Sequence, residues 1–117
     1  MNPLAAVVLI GYATFYAPNV MEATAEYRGL LGTCPDCVGY AAMIDPEWIG
    51  QRVWISRPGH RAELFLVVDC GKEEHRAAQK ARGLVAEVDF PTAVRWKMRG
   101  RIVVFVSTNG TQRGAIP

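Results

Sequence analysis

Six short runs of strand-forming residues, separated by glycine, proline or polar turns, most restrict what this chain can fold into. They are Val7–Tyr16, Val38–Met43, Arg52–Ser56, Ala62–Val68, Val85–Phe90 and Ile102–Ser107. Val7–Tyr16 is rich in β-branched and aromatic residues and is interrupted only by Gly11. Arg52–Ser56 and Ala62–Val68 flank a Pro-Gly turn at Arg57–His60 and predict a hairpin. Val85–Phe90 alternates, with Val85, Glu87 and Asp89 on one side and Ala86, Val88 and Phe90 on the other. Two stretches read as short helices: Glu73–Arg82, ended by Gly83, and Pro91–Met98, with a proline in its first turn. Six strands this short, with two helices of one to three turns, predict an all-β-dominated barrel rather than a βαβ sheet.

At 117 residues, half of them apolar and 21% charged, the chain predicts one globular domain with a real core. That core is expected over about residues 5–107, with a loose polar tail over 108–117. No apolar run approaches the ~20 residues that a helical membrane span needs. The longest, Leu4–Ile10, lacks the basic flank of a signal peptide and reads better as part of the first strand. Charge is unevenly shared: residues 1–50 sum to −4 and residues 51–117 to +6. A basic half can attract an anionic polymer, but its cations alternate with acids and aliphatics, the pattern of a solvated face rather than of a nucleic-acid site.

The three cysteines are Cys34 and Cys37, in Cys-Pro-Asp-Cys, and Cys70. In an oxidising compartment Cys70 is expected to bridge to Cys34 or Cys37. In a reducing one, the three cysteines with His75 offer four zinc-type donors at a non-standard spacing. Free buried thiols are the third reading; the preferred expectation is a disulfide, with no metal and no cofactor.

Three aspartates sit at strand-associated positions: Asp45 before Pro46, Asp69 in Val-Asp-Cys-Gly, and Asp89 in Val-Asp-Phe. Singly, each is expected to cap a turn. Gathered together, they would desolvate and repel one another until one holds a proton near neutral pH. Their order and surroundings matter further. The segment Ala41–Ile55, then Val67-Val68-Asp69-Cys70-Gly71, then Glu87-Val88-Asp89, resembles the three-Asp (3D) domain. The opening Gly11-Tyr12-Ala13-Thr14-Phe15-Tyr16 is similar to the start of rare-lipoprotein-A-like and expansin-like barrels.

The resemblance implies a six-stranded double-psi β-barrel over the single domain 1–117. It also implies an extracytoplasmic or secreted setting and a peptidoglycan or other polysaccharide partner. By similarity to membrane-bound lytic transglycosylase A, the catalytic aspartate would be Asp69 or Asp89, with Asp45 in support. One carboxyl would protonate the glycosidic oxygen and then, ionised, deprotonate the sugar's own hydroxyl. Asp89 precedes a helix start whose dipole favours the carboxylate, which argues for Asp69 as the acid. Tyr16, Trp48 and Trp96 are the candidate sugar contacts, against the favoured reading of the tryptophans as buried barrel anchors. The competing reading is a barrel without catalysis, serving as a wall-binding or structural module in a virion or secreted assembly with protein partners. Two departures from the family pattern favour it: Asp69-Cys70-Gly71-Lys72 lacks a second glycine, and Glu73–Arg82 is inserted beside it.

Overall fold

The structure, a computed structural model, describes residues 8–108, and the expectations for Leu4–Val7 and for the tail after Thr108 lie outside them. Six strands form a closed barrel: β1 (Val8–Phe15), β2 (Gly39–Met43), β3 (Arg52–Ser56), β4 (Glu63–Cys70), β5 (Leu84–Val88) and β6 (Ile102–Ser107). Around the ring the order is β1-β5-β2-β4-β3-β6. The β1/β5 and β2/β4 pairs are parallel and all others antiparallel. The expected hairpin is the β3/β4 pair, with Val53 opposite Phe65. Closure leaves no strand with an unpaired edge, which suits short strands that could not form a stable open sheet.

Alternation sends one side of every strand inward. Ala13, Ala41, Met43, Val53, Ile55, Phe65, Val67, Ala86, Val88, Val104 and Val106 fill the interior with Trp48 and Trp96. The two tryptophans come from opposite ends. Trp48 ends a 3-10 turn, Pro46–Trp48, after β2, while Trp96 follows the helix that begins at Phe90 after β5. Because β2 and β5 are antiparallel neighbours, their C-terminal ends lie at opposite mouths of the barrel, and each mouth receives one indole. Trp96 meets Phe65 edge to face at 5.9 Å between ring centroids.

Two bulges interrupt the parallel pairs, and both decide where side chains point. Tyr12 pairs with Leu84 but Ala13 with Ala86, so Val85 is an extra residue in β5. Ala41 pairs with Val67 but Ala42 with Asp69, so Val68 is extra in β4. Val85 therefore packs against the interior beside Ala86 instead of sharing the outward side with Glu87, as strict alternation predicted.

Three helices decorate the wall. The helix α1 (Val20–Tyr27) buries Met21 and Ala25 over Ala42, Leu66 and Val68 on the outside of the barrel. It was not expected from the sequence, although Met21 and Ala25, four residues apart among good helix formers, carried the signal. The predicted helix over Glu73–Arg82 is a 3-10 turn, Glu73–His75, running into α2 (Arg76–Ala81), and it ends at Gly83 as expected. The third, α3 (Phe90–Arg95), starts one residue before Pro91 and stops short of Met98, because Lys97 takes a positive φ of 58°.

Gly11 allows the β1/β5 contact to close. A Cβ there would lie 2.5 Å from the Gly83 carbonyl oxygen and 2.7 Å from Val85 Cγ1. Since a carbonyl cannot rotate aside as a side-chain tip can, Gly11→Ala is expected to destabilise the barrel by about 1–3 kcal/mol. Urea denaturation measures this, and an unchanged midpoint would mean that the two strands are not locked at this point.

Candidate functional site

The three aspartates do not share a surface. Asp89 is buried at 3% exposure and caps α3, its Oδ1 accepting from the Thr92 amide at 3.1 Å. Its Oδ2 accepts from the Tyr40 amide at 2.9 Å, at the start of β2. Gly39 makes room for this, since a Cβ there would come within 2.8 Å of Oδ2. Asp45 lies five residues beyond Tyr40, past the other end of β2, roughly 16 Å away at the ~3.3 Å rise of a strand. There it pairs with Lys80 of α2 at 3.0 Å, both side chains substantially exposed. The expectation of a single three-carboxylate cleft is thus replaced by two capping or paired aspartates at opposite mouths, and a third between them.

Asp69, the third, belongs to a polar row on the outer wall. Across four strands, Thr14 is registered with Glu87, Glu87 with Ala42, and Ala42 with Asp69. Glu87 reaches this wall by alternation between the inward Ala86 and Val88, and Asp69 by a bulge. Without the extra Val68, alternation would have turned Asp69 toward the apolar interior with Phe65 and Val67. Their Cα atoms stand two strand spacings apart, about 10 Å, over the small side chain of Ala42.

The row is closely tied. Tyr16 donates its hydroxyl to Asp69 Oδ2 at 2.7 Å, and Arg28, which follows α1, reaches Asp69 Oδ1 at 3.3 Å. Thr14 donates to Glu87 Oε2 at 2.5 Å. Burial raises the Tyr16 pKa well above the ordinary tyrosine value, and the hydrogen bond to Asp69 and the charges of Asp69 and Glu87 push the same way. Tyr16 therefore stays a neutral donor. Of the candidate sugar contacts it alone stands on this wall, whereas Trp48 and Trp96 are 8% and 6% exposed inside the barrel and offer no ring face to a ligand. Thr14, Arg28 and Glu87 escaped the sequence reading, because only the register and the packing of α1 bring them beside Asp69.

Next to the row lies a depression of about 210 Å³ between α2 and the β1/β5 wall. Thr14, Glu87, Tyr12 and Leu84 line it from the barrel, Gln79 and Arg82 from the α2 side, and Arg101 from the approach to β6. The Arg101 guanidinium lies over the Tyr12 ring, 4.2 Å from its centroid. A second depression, of about 370 Å³, has Trp54, Arg52, Asp36 and Glu63 in its walls on the far side of the barrel.

The cysteines pair differently from expectation. Cys34 and Cys37 form the disulfide, and Cys70 is free. The reason is distance. Val38 hydrogen-bonds to Leu64 at the start of β4, while Cys70 ends that strand six residues on, about 20 Å away. Cys70 instead lies 3.7 Å from an Arg76 guanidinium nitrogen. The disulfide removes two of the four donors that a zinc site would use, and among the described residues no three His, Cys, Asp or Glu side chains gather as metal ligands.

Comparison with family models, with curated proteins and with solved structures found no match to this chain.

Removing the Asp89 side chain leaves two amides without their acceptor at a buried turn. Asp89→Ala is expected to cost about 3 kcal/mol, and Asp45→Ala, whose partner is solvated, less than about 1 kcal/mol. Denaturant titration of the two variants checks the contrast, which equal losses would refute. The raised Tyr16 pKa makes a second prediction. Below pH ~10 both folded and unfolded tyrosine are protonated and its contribution is intact. Above that the unfolded chain ionises first, so stability falls as pH rises. Tyr16→Phe should remove this component of the alkaline slope, and an identical slope in both proteins would contradict the assignment.

Proposed function

We propose that this barrel binds a polysaccharide without cleaving it, as a wall-binding or structural module. One observation carries the choice. Both oxygens of Asp69 and both oxygens of Asp89 already accept hydrogen bonds from protein donors. A general acid must aim its proton at the glycosidic oxygen, and an oxygen engaged by a protein donor must turn from that donor to do so. Asp45 is held by Lys80 at the mouth closed by Trp48, away from the polar row.

What the outer wall offers suits sugar hydroxyls. The depression presents an amide, a threonine hydroxyl, a carboxylate oxygen and a tyrosine ring whose other contacts keep it in place. Planar polar groups beside an aromatic ring match the alternating hydroxyl edges and C–H faces of a pyranose. The double-psi arrangement is the finer reading of the barrel. It is supported by the two parallel pairs flanking the antiparallel β5/β2 pair. An extracytoplasmic setting fits the Cys34–Cys37 disulfide.

The lytic-transglycosylase reading keeps one observation in its favour, the two carboxylates Asp69 and Glu87 on a common wall with Tyr16 between them and α1. A single experiment separates the two. Incubated with purified sacculi, the protein is expected to sediment with the insoluble glycan and to release no anhydro-muropeptides. Tyr12→Ala should lower the retained fraction about tenfold, as loss of an aromatic contact does. Soluble anhydro products abolished by Asp69→Asn would instead establish the enzyme.

A further inference from the structure

The geometry points to a sugar acid as the ligand of the depression between α2 and the β1/β5 wall, its carboxylate held by Arg82 and Arg101. This rests on the glycan-binding reading and narrows it to carboxylated glycans. The two arginines approach from different parts of the chain, Arg82 just past α2 and Arg101 just before β6, and line the same depression. Three other cations, Arg28, Lys80 and Arg95, are each ion-paired to a carboxylate. Arg82 and Arg101 have no carboxylate partner among the described residues. Arg101 is also pre-positioned, because its guanidinium rests on the Tyr12 ring, so less side-chain freedom is lost when it takes up an anion.

The rest of the lining says what kind of anion fits. Glu87 is the single carboxylate there, and its Oε2 is occupied by Thr14. Its other oxygen is an acceptor that calls for a hydroxyl donor on the ligand. Two guanidinium groups against one carboxylate leave a net single positive charge, which matches one carboxylate per sugar. A polyphosphate chain would bring several charges up against Glu87 and no hydroxyl for its free oxygen. At about 210 Å³ the depression is on the scale of one sugar residue rather than of an oligomer. The remainder of the polymer would then run along the wall over the Thr14–Glu87–Asp69 row.

Calorimetric titration of the full chain with oligogalacturonate, with its neutral methyl ester and with tripolyphosphate tests this. The acid form is expected to bind about tenfold or more tightly than the ester, the usual size of a charge-assisted contact. Arg82→Gln and Arg101→Gln, both at exposed positions, should each remove most of that preference. Arg95→Gln, whose guanidinium is engaged by Glu63 elsewhere, should leave it intact. Equal binding of acid and ester overturns the inference while leaving the glycan reading standing. Tripolyphosphate binding as well as the sugar acid, or an acid preference that survives both arginine changes, also overturns it. Failure to bind any of these probes, together with failure to sediment with sacculi, removes the glycan reading itself.

Discussion

Asp89, buried where β5 gives way to α3, divides its carboxylate between the Thr92 amide of its own turn and the Tyr40 amide of the neighbouring strand. Through these two bonds one side chain starts a helix, fixes the end of the β5/β2 pairing and directs the chain toward Trp96. Trp96 then enters the barrel against Phe65. The arrangement depends on Gly39, because any side chain there would occupy the carboxylate's position. A buried carboxylate is tolerable only when such donors replace its lost water, and here both donors are backbone amides that would otherwise be left unpaired.

The opposite mouth repeats the plan with different physics. Asp45 also precedes a proline-containing turn that delivers a tryptophan inward, yet its side chain makes no cap and reaches solvent to meet Lys80. Similar local sequence thus yields a structural carboxylate at one end and a weak surface pair at the other. An indole sits at each mouth, and aliphatic side chains with Phe65 fill the interior among the described residues. On the outer wall α1 and α2 flank the parallel strands, and polar residues meet across them.

Two single-residue irregularities shape that wall. Val68 and Val85 each add a residue to one strand of a parallel pair: the first turns Asp69 outward, and the second turns Val85 inward beside Ala86. Asp69 would otherwise face an apolar core, at a high cost for a short barrel. The bulges therefore link fold and candidate site. The same local twist that lets the ring close also brings Thr14, Glu87 and Asp69 into one row.

By itself the sequence determined the strand inventory. Arg52–Ser56 and Ile102–Ser107 are strands over the very residues that their β-branched, alternating pattern marks, and the Pro-Gly turn joins a real hairpin. Periodicity and turn chemistry are local, so they survive in a single chain read without partners. Tertiary structure alone decided the rest: that Cys34 pairs with Cys37, and that the aspartates separate. These depend on which strands become neighbours and in what register. One inserted residue reverses an entire face there, and nothing in the local pattern of Leu64–Cys70 or Leu84–Val88 announces it.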